Sequence, residues 1–356
     1  MSDYLGFGIF AFTLSFFCTF CTIWIMQKFQ IVDKPKTDER KRHKKTTPLG
    51  GGIAIFVSFF VMMLLATKDG FLGQEIGIRS MWGMFLGGCI LMLGGIVDDK
   101  YNLPAKYQII APIFAALTIL WFGIGPHQIT NPWGGVVDLS GITISVGALG
   151  NIVLFADILV FAWLMGMMFT TKFLDGLDGL VSGVVIIGAG VLFFLSRQPE
   201  WYQSEMAMIS IIFAGAVLGF LVFNFHPAKI FLGEGGSLFL GFVLGCLAIL
   251  SGGKIATTLL VVGVPALDVL RVIIRRFQKQ KSIFVGDREH LHYLLVDMGF
   301  GHRQTVYLLY GISLLLGMSA LFLQSRQKLL ALVLIFVLML LIGVWFSAKD
   351  KEKTNL

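Results

Sequence analysis

The chain has 356 residues, of which 56% are hydrophobic and 14% are charged, and its mean hydropathy is +0.83. This composition excludes an ordinary soluble enzyme and is typical of an integral membrane protein. The net charge of +7 does not indicate a nucleic-acid partner. The basic residues cluster in short segments between long apolar runs, as they do in membrane proteins.

Eleven apolar segments follow one another along the chain, and each is close to the roughly 20 residues that a helix needs to cross a bilayer. They predict an all-α polytopic membrane protein with about eleven transmembrane helices. The first segment lacks a basic start and a small-residue cleavage site, so we expect it to be retained. The segments cover residues 4–26, 49–67, 82–97, 107–123, 152–169, 180–196, 206–225, 237–250, 255–274, 305–323 and 329–347.

The basic residues are distributed unevenly between the two sides that alternating helices define. With an external N-terminus, 22 of the 28 Lys and Arg residues fall on one side, and the positive-inside rule makes that side cytoplasmic. We therefore predict a multi-pass protein of the inner (cytoplasmic) membrane with a cytoplasmic C-terminus. The basic excess would face anionic lipid headgroups or an anionic substrate. The cytoplasmic loops are then residues 27–48, 98–106, 170–180, 226–236 and 271–304.

The chain shows no inverted repeat of the kind that marks many transporters. We predict a single integral membrane domain over residues 1–356, with the five cytoplasmic loops forming its site. The long external loop, residues 123–151, contains a predicted short β-hairpin, with strands at 136–139 and 142–146 around Ser140-Gly141. We expect it to cap the external helix ends. A homodimer is compatible with the sequence.

Two acidic motifs lie at the ends of predicted helices. Asp98 and Asp99 follow an apolar helix, where their charges oppose the helix dipole. A solvated helix end and a cation-binding pair both explain them. In the run Asp175-Gly176-Leu177-Asp178-Gly179, the glycines permit a tight turn, and two carboxylates three residues apart can face one ligand or metal. Because charges at membrane depth are costly, we interpret their convergence on one side as an active site.

Two further segments carry polar residues that could bind a ligand. Between Asn224 and Ser237, small residues surround Glu234 at a helix start, where a phosphate or a metal ion can approach the backbone. A capped helix start explains the same pattern. His290 and His292 lie in a basic loop and favour contact with phosphate or sugar over metal ligation. Carboxylates with few imidazoles suit Mg2+ or Mn2+ rather than zinc.

The polar motifs also occur in a characteristic order along the chain. They are Asp33-Lys34-Pro35, Arg42-His43-Lys44, Pro48-Leu49-Gly50-Gly51-Gly52, Asp98-Asp99, Asp175-Gly176-Leu177-Asp178-Gly179, Asn224 with Pro227-Ala228-Lys229-Ile230-Phe231, and Arg288-Glu289-His290-Leu291-His292. From about residue 33 to 302, this set resembles the polyprenyl-phosphate N-acetylhexosamine-1-phosphate transferases. Within that family it is most similar to bacterial undecaprenyl-phosphate GlcNAc-1-phosphate transferases. The sister branch, which transfers MurNAc-pentapeptide, typically carries a Pro-x-His-His-His motif that is absent here.

The resemblance implies a Mg2+-dependent reaction at the cytoplasmic face, with Mn2+ as the other candidate ion. A UDP-N-acetylhexosamine and a polyprenyl phosphate would give a polyprenyl-diphosphate sugar and UMP, as the first membrane step of cell-envelope glycan assembly, such as lipopolysaccharide or teichoic acid. It also implies a role for each matching residue. Asp98 would be the base or the organiser of the acceptor phosphate, and Asp99 its partner. Asp99 and Glu234 would be metal ligands. Asp175 and Asp178 would serve the nucleotide and the active-site network.

The resemblance also implies contacts with the two substrates. Asn224 and Phe231 would hold and stack on uracil, and Lys44, His290 and His292 would contact phosphate or sugar.

Three positions depart from the family pattern. Glu234 stands where Asp is usual, Lys172 where Asn is usual, and Tyr293 where a third His is frequent. Glu still binds Mg2+ and Lys binds phosphate, so we retain activity as the main expectation. The departures leave open a catalytically degenerate relative that acts as a scaffold. A secondary transporter that uses Asp157, Asp175, Asp178 and Asp268 for ion coupling also fits the helix count, but it predicts carboxylates near the bilayer midplane. The sequence instead places Asp175, Asp178 and Asp268 in or beside predicted cytoplasmic loops, and Asp157 towards the external end of its helix.

Overall fold

The computed structural model describes residues 1–35, 46–126, 128–145, 151–252, 254–278 and 289–354. Thirteen α-helices lie within these residues. They are α1 Ser2–Lys28, α2 Gly52–Lys68, α3 Ile78–Tyr101, α4 Ala105–Gln108, α5 Ile110–Trp121, α6 Leu154–Leu174, α7 Leu180–Ser196, α8 Ser204–Asn224, α9 Gly233–Leu250, α10 Ile255–Gln278, α11 Leu291–Asp297, α12 His302–Phe322 and α13 Ser325–Thr354.

Every predicted apolar segment coincides with a helical segment of the structure. Eight helices, α1, α3, α6, α8, α9, α10, α12 and α13, are long and apolar enough to cross a membrane. Three shorter apolar helical segments lie at residues 52–68, 105–121 and 180–196. The prediction of a polytopic all-α membrane protein is confirmed, while the number of crossings and the single-domain boundary stay predictions.

Helix α9 lies at the centre of the helical packing. It contacts α2, α3, α6, α7 and α10, and all of its residues from Gly235 to Ile249 are buried. Its side chains join the main hydrophobic core, in which Phe239 and Phe242 are fully buried. A helix that is apolar on all sides can be accommodated only in such an interior position.

Alternating helix directions bring the polar helix ends together. Helices α3, α6 and α8 end on the side where α7 and α9 begin, and hydrogen bonds cross between these ends. The N–H of Gly179 donates to Asn224 Oδ1 at 3.1 Å, and the N–H of Glu234 donates to Asp99 Oδ1 at 3.0 Å. The loops that carry the acidic motifs therefore meet at one end of the bundle.

The described strands form three short antiparallel pairs. They are β1 (Val32–Asp33) with β2 (Thr47–Pro48), β3 (Gln128–Thr130) with β4 (Val136–Asp138), and β5 (Thr143–Ser145) with β6 (Asn151–Val153). The predicted hairpin is wrong in its pairing, because β4 pairs with β3 and β5 with β6 rather than β4 with β5. Residues 131–135 explain the difference: Gly134 and Gly135 adopt positive φ, so the chain turns back onto β3 before it reaches Ser140-Gly141.

Helices α3 and α9 come unusually close where two glycines face each other. A Cβ atom added at Gly95 would lie 2.2 Å from the Cα of Gly235. Carbon atoms prefer separations of about 3.5–4 Å, so a side chain at either position would force the helices apart. This close approach sets the end of α3, with Asp98 and Asp99, against the start of α9 and Glu234.

We expect Gly95→Ala to lower the unfolding free energy by about 1–3 kcal/mol, as overpacking typically does. Gly190→Ala is the matched control, because a Cβ at Gly190 in α7 meets no atom within 4 Å. The measurement is the thermal unfolding midpoint of the purified protein in detergent. Equal midpoints for the two variants would contradict the importance of the α3–α9 contact.

Candidate active site

The Asp98 carboxylate is buried and held by neutral donors. The N–H of Leu103 donates to its Oδ1 at 2.9 Å, and the Gln108 side-chain amide donates to the same oxygen at 3.2 Å. Asn102, which follows α3, adopts a left-handed conformation with φ 53°, and the chain turns there so that Leu103 can reach back. The predicted catalytic residue Asp98 is therefore fixed in place without a direct cationic partner among these contacts.

Lys172 joins the two parts of the acidic region. It lies in the last turn of α6, and its ammonium group forms an ion pair with Glu234 and donates to Gln108 Oε1 at 2.9 Å. Gln108 in turn donates to Asp98. The structure thus brings together Asp98, Asp99 and Glu234, as the sequence predicted, and adds Lys172 and Gln108 between them.

Asp175 follows α6 directly, at the end of the bundle where the other acidic residues lie. The residue is exposed, and its carboxyl group lies near those of Glu234, Asp178 and Asp99. Desolvation, and then the negative charges of Glu234, Asp178 and Asp99, raise its pKa to about 8. No described residue donates a hydrogen bond to Asp175, so its carboxylate has room for a ligand.

Asp178 stabilises the loop between α8 and α9. Its Oδ2 accepts from the N–H of Ala228 at 3.1 Å and lies 2.7 Å from His226 Nδ1. Asp178, His226 and His302 have ligand atoms within 4.8 Å of one another. The two imidazoles, however, stack at 4.0 Å with 21° between their planes, so their in-plane lone pairs do not converge on one point. We interpret this group as a set of contacts that stabilises the loop rather than as a metal centre.

Asn224 connects two loops through its side chain. It is buried, its Oδ1 accepts from the N–H of Gly179, and its side-chain amide donates to the Ile230 carbonyl at 3.0 Å. Phe231 is half-buried beside it, and its N–H donates to the Pro48 carbonyl at 2.9 Å. Their predicted contacts with uracil stay predictions, while the structure shows that Asn224 shapes the loop.

A second polar cluster centres on Asp268. Its Oδ2 lies 2.9 Å from His290 Nδ1, and its Oδ1 accepts from Arg271 Nη2 at 2.8 Å. Because a carboxylate only accepts, His290 donates through Nδ1. All three side chains are buried. Asp268 is therefore engaged in an ion pair that orients His290.

His292 packs against the turn that carries Asp175. A Cβ at Gly176 would lie 2.3 Å from His292 Nε2. The imidazole is buried, and that nitrogen has no hydrogen-bond partner among the described residues. Desolvation and the neighbouring His290 lower the pKa of His292 to about 3. The ring is neutral at physiological pH. Its predicted contact with phosphate or sugar, like that of His290, stays a prediction.

Two features of the site had weak sequence signals or none. Lys172 was marked only as a departure from the family pattern, and nothing indicated Gln108, which lies in the four-residue helix α4. Their importance follows from the meeting of α4 and α6, which are distant in sequence. The predicted phosphate contact Lys44 lies outside the described residues.

An apolar cavity of about 520 Å3 adjoins the acidic cluster. It runs between α4, α6 and α10, and it is lined mainly by apolar side chains such as Met165, Phe169 and Leu270. Gln108 and Lys172 also line it. The cavity therefore connects an apolar surface of the bundle with the polar residues that hold Asp98 and Glu234.

The fold and the site define a class: an all-α membrane protein with a carboxylate-rich site at its helix ends, next to an apolar cavity. Comparison with known proteins gives the family. Residues 81–252 match the model of glycosyl transferase family 4. The chain belongs to this family and is a membrane transferase.

Individual relatives extend the match over most of the chain. A probable undecaprenyl-phosphate N-acetylglucosaminyl 1-phosphate transferase of Bacillus subtilis is 30% identical over 324 residues, covering 89% of this chain and 84% of the relative. A decaprenyl-phosphate N-acetylglucosaminephosphotransferase of Mycolicibacterium smegmatis is 31% identical, covering 85% and 78%. A phospho-N-acetylmuramoyl-pentapeptide-transferase of Halalkalibacterium halodurans is 30% identical, covering 82% and 86%.

The depressed pKa of His292 predicts an acid-sensitive stability. Below pH 6.5 an unfolded chain takes up a proton on this histidine, whereas the folded chain does not until about pH 3. Folded stability therefore falls as the pH drops between these values, by about 2 kcal/mol at pH 5. Between pH 7 and pH 5, we expect the unfolding temperature of His292→Asn to fall less than that of the parent protein. Parallel curves would contradict a buried neutral His292.

Proposed function

We propose that the protein transfers N-acetylglucosamine 1-phosphate from UDP-N-acetylglucosamine to a polyprenyl phosphate and releases UMP. The carboxylate cluster consists of Asp98, Asp99, Asp175, Asp178 and Glu234. The observation that carries the proposal is that this cluster meets the apolar cavity at Lys172 and Gln108. A reaction between a water-soluble nucleotide sugar and a lipid phosphate needs such a junction. The names of the relatives in Bacillus subtilis and Mycolicibacterium smegmatis support the same donor sugar and acceptor class.

In this reaction an oxygen of the lipid phosphate forms a bond to the sugar-bearing phosphorus of the donor. The bond between that phosphorus and the bridging oxygen of the diphosphate breaks, and UMP leaves with this oxygen. Asp98 is positioned by Leu103 and Gln108 to orient the acceptor phosphate or to take its proton. Such positioning and charge neutralisation supply most of the catalysis in phosphoryl transfer.

The donor set fits a hard divalent cation. Asp99, Asp175 and Glu234 offer carboxylate oxygens, which Mg2+ and Mn2+ prefer, and these three residues would hold the ion. A bound Mg2+ would neutralise negative charge on the diphosphate. Asp99 is oriented for this task by the N–H of Glu234, which leaves its second oxygen for the ion.

The apolar cavity suits the prenyl chain of the acceptor. Its lining by Met165, Phe169 and Leu270 matches a hydrocarbon chain, and a phosphate headgroup at its polar end would meet Lys172. The alternative of a secondary transporter is disfavoured, because the clustered carboxylates lie at helix ends and Asp268 is paired with Arg271.

The primary test is UMP release by the purified protein with Mg2+, undecaprenyl phosphate and UDP-N-acetylglucosamine. We expect Asp98→Asn and Asp99→Asn each to lower turnover by roughly two orders of magnitude or more, because each removes a positioned charge. Asp69→Asn, an exposed position after α2, is the control and should retain turnover. Near-normal turnover in the Asp98 variant would refute its role. Binding of the nucleotide sugar without UMP release by the parent protein would favour the scaffold alternative.

The cytoplasmic location of the site predicts a labelling pattern. We expect a cysteine at Lys106, which is exposed beside the cluster, to react with an impermeant maleimide only from the cytoplasmic side. A cysteine at Trp133, exposed between β3 and β4, should react only from outside. Both variants are made in a background without the native cysteines. Labelling of position 106 from outside would overturn the proposed orientation.

A further inference from the structure

Lys172 occupies an unusual place for a basic side chain. It lies in the last turn of α6, is mostly buried, and extends into the carboxylate cluster rather than towards solvent. Its two polar partners come from different helices, Glu234 from α9 and Gln108 from α4. Ordering a long, flexible side chain at such a position has an entropic cost, which the ion pair and hydrogen bond offset.

The contacts of Lys172 form a continuous chain of polar groups. Glu234 pairs with its ammonium group, the same group donates to Gln108 Oε1, and the Gln108 amide donates to Asp98. Because Gln108 accepts from Lys172 with its oxygen, its nitrogen is turned towards Asp98. Lys172, together with the Leu103 carbonyl that accepts from the same amide, thus fixes the orientation of Gln108.

The electrostatic consequence is specific to this cluster. Among the described residues, Lys172 supplies the ammonium ion that pairs with a carboxylate of the group Asp98, Asp99, Asp175, Asp178 and Glu234. Its positive charge lies where a divalent ion at Asp99, Asp175 and Glu234 would also be attracted. Two cations that share one carboxylate repel each other, and in a partly water-excluded site this repulsion is strong.

The ion pair depends on the reach of its two side chains. Lys172 extends from the last turn of α6 and Glu234 from the first turn of α9, and their charged groups meet between the two helices. A carboxylate that is one methylene shorter at position 234 would lie further from the ammonium group.

We propose that Lys172 is a tethered cation that neutralises Glu234, weakens the binding of divalent ions to the carboxylate cluster, and orients Glu234 relative to Asp98. It is a positioning residue that sets the metal requirement of the site. The residues Asp99 and Asp175, which have no such cationic partner in the described structure, would then contribute most of the divalent-ion affinity. The metal requirement rests on the proposed function, but the charge balance is a property of the protein alone.

The decisive measurement is Mn2+ binding by the purified protein in detergent, followed by the loss of the free-ion electron paramagnetic resonance signal, without substrates. We expect Lys172→Met to bind Mn2+ roughly tenfold more tightly than the parent protein, because it removes a competing positive charge at similar side-chain length. Lys172→Arg keeps the charge and should bind as the parent does. Lys106→Met is the matched control, since that lysine lies over the ring of Tyr107 at 4.9 Å, outside the cluster.

Unchanged or weaker Mn2+ binding by a folded Lys172→Met protein would overturn the proposal. Folding of each variant is checked by its thermal unfolding midpoint and by its elution in size-exclusion chromatography. Because no substrate is present, this result is independent of the reaction: absence of UMP release by the parent protein would contradict the proposed function and leave the binding comparison intact.

Single and double substitutions at the two positions test whether the residues act as a pair. Lys172→Asn leaves Glu234 without its partner, and Glu234→Asp withdraws the carboxylate from Lys172, so we expect each variant to lower UMP release about tenfold or more. In the double variant Lys172→Asn/Glu234→Asp neither residue is left facing a partner that it no longer reaches, so its loss should be smaller than the product of the two single losses. Losses that multiply in the double variant would show independent residues and overturn the coupling.

Discussion

Mutual repulsion of carboxylates is the constraint on which the rest of the structure depends. Five carboxylates gather at one end of an apolar helix bundle, and the surrounding groups hold each one differently. Neutral amides hold Asp98, a backbone N–H orients Asp99, His226 and a backbone N–H hold Asp178, and Lys172 pairs with Glu234. No described residue donates a hydrogen bond to Asp175. Desolvation, and then the negative charges of Glu234, Asp178 and Asp99, raise its pKa.

The packing of the apolar helices holds these charged side chains close together. Helix α9 is buried along its length, and the glycine contact between α3 and α9 brings two acidic helix ends within hydrogen-bonding distance. Behind the cleft, the buried cluster of Asp268, Arg271 and His290 supports the segment that carries His292. The acidic residues adjoin the cavity between α4, α6 and α10 through Gln108 and Lys172, which line it.

Much of this arrangement could be predicted from residue patterns. The long apolar runs predicted the helices, and the acidic motifs at their ends predicted which loops meet. The strands β4 and β5 show the limit. Their positions were predicted but their partners were not, because positive φ at Gly134 and Gly135 turns the chain earlier than expected. The histidines show another limit. A His-x-His pattern in a basic loop gave no sign that His292 would be buried and neutral against Gly176.

The sequence by itself determined the membrane class, the order of the helices and the identity of the acidic residues, because hydropathy and helix length are local properties of the chain. Only the tertiary structure decided how each charge is balanced. Lys172 and Glu234 are 62 residues apart in the sequence, and they form an ion pair because α6 and α9 pack together. Pairing of distant side chains depends on helix packing, rotation and side-chain reach, none of which a linear pattern contains.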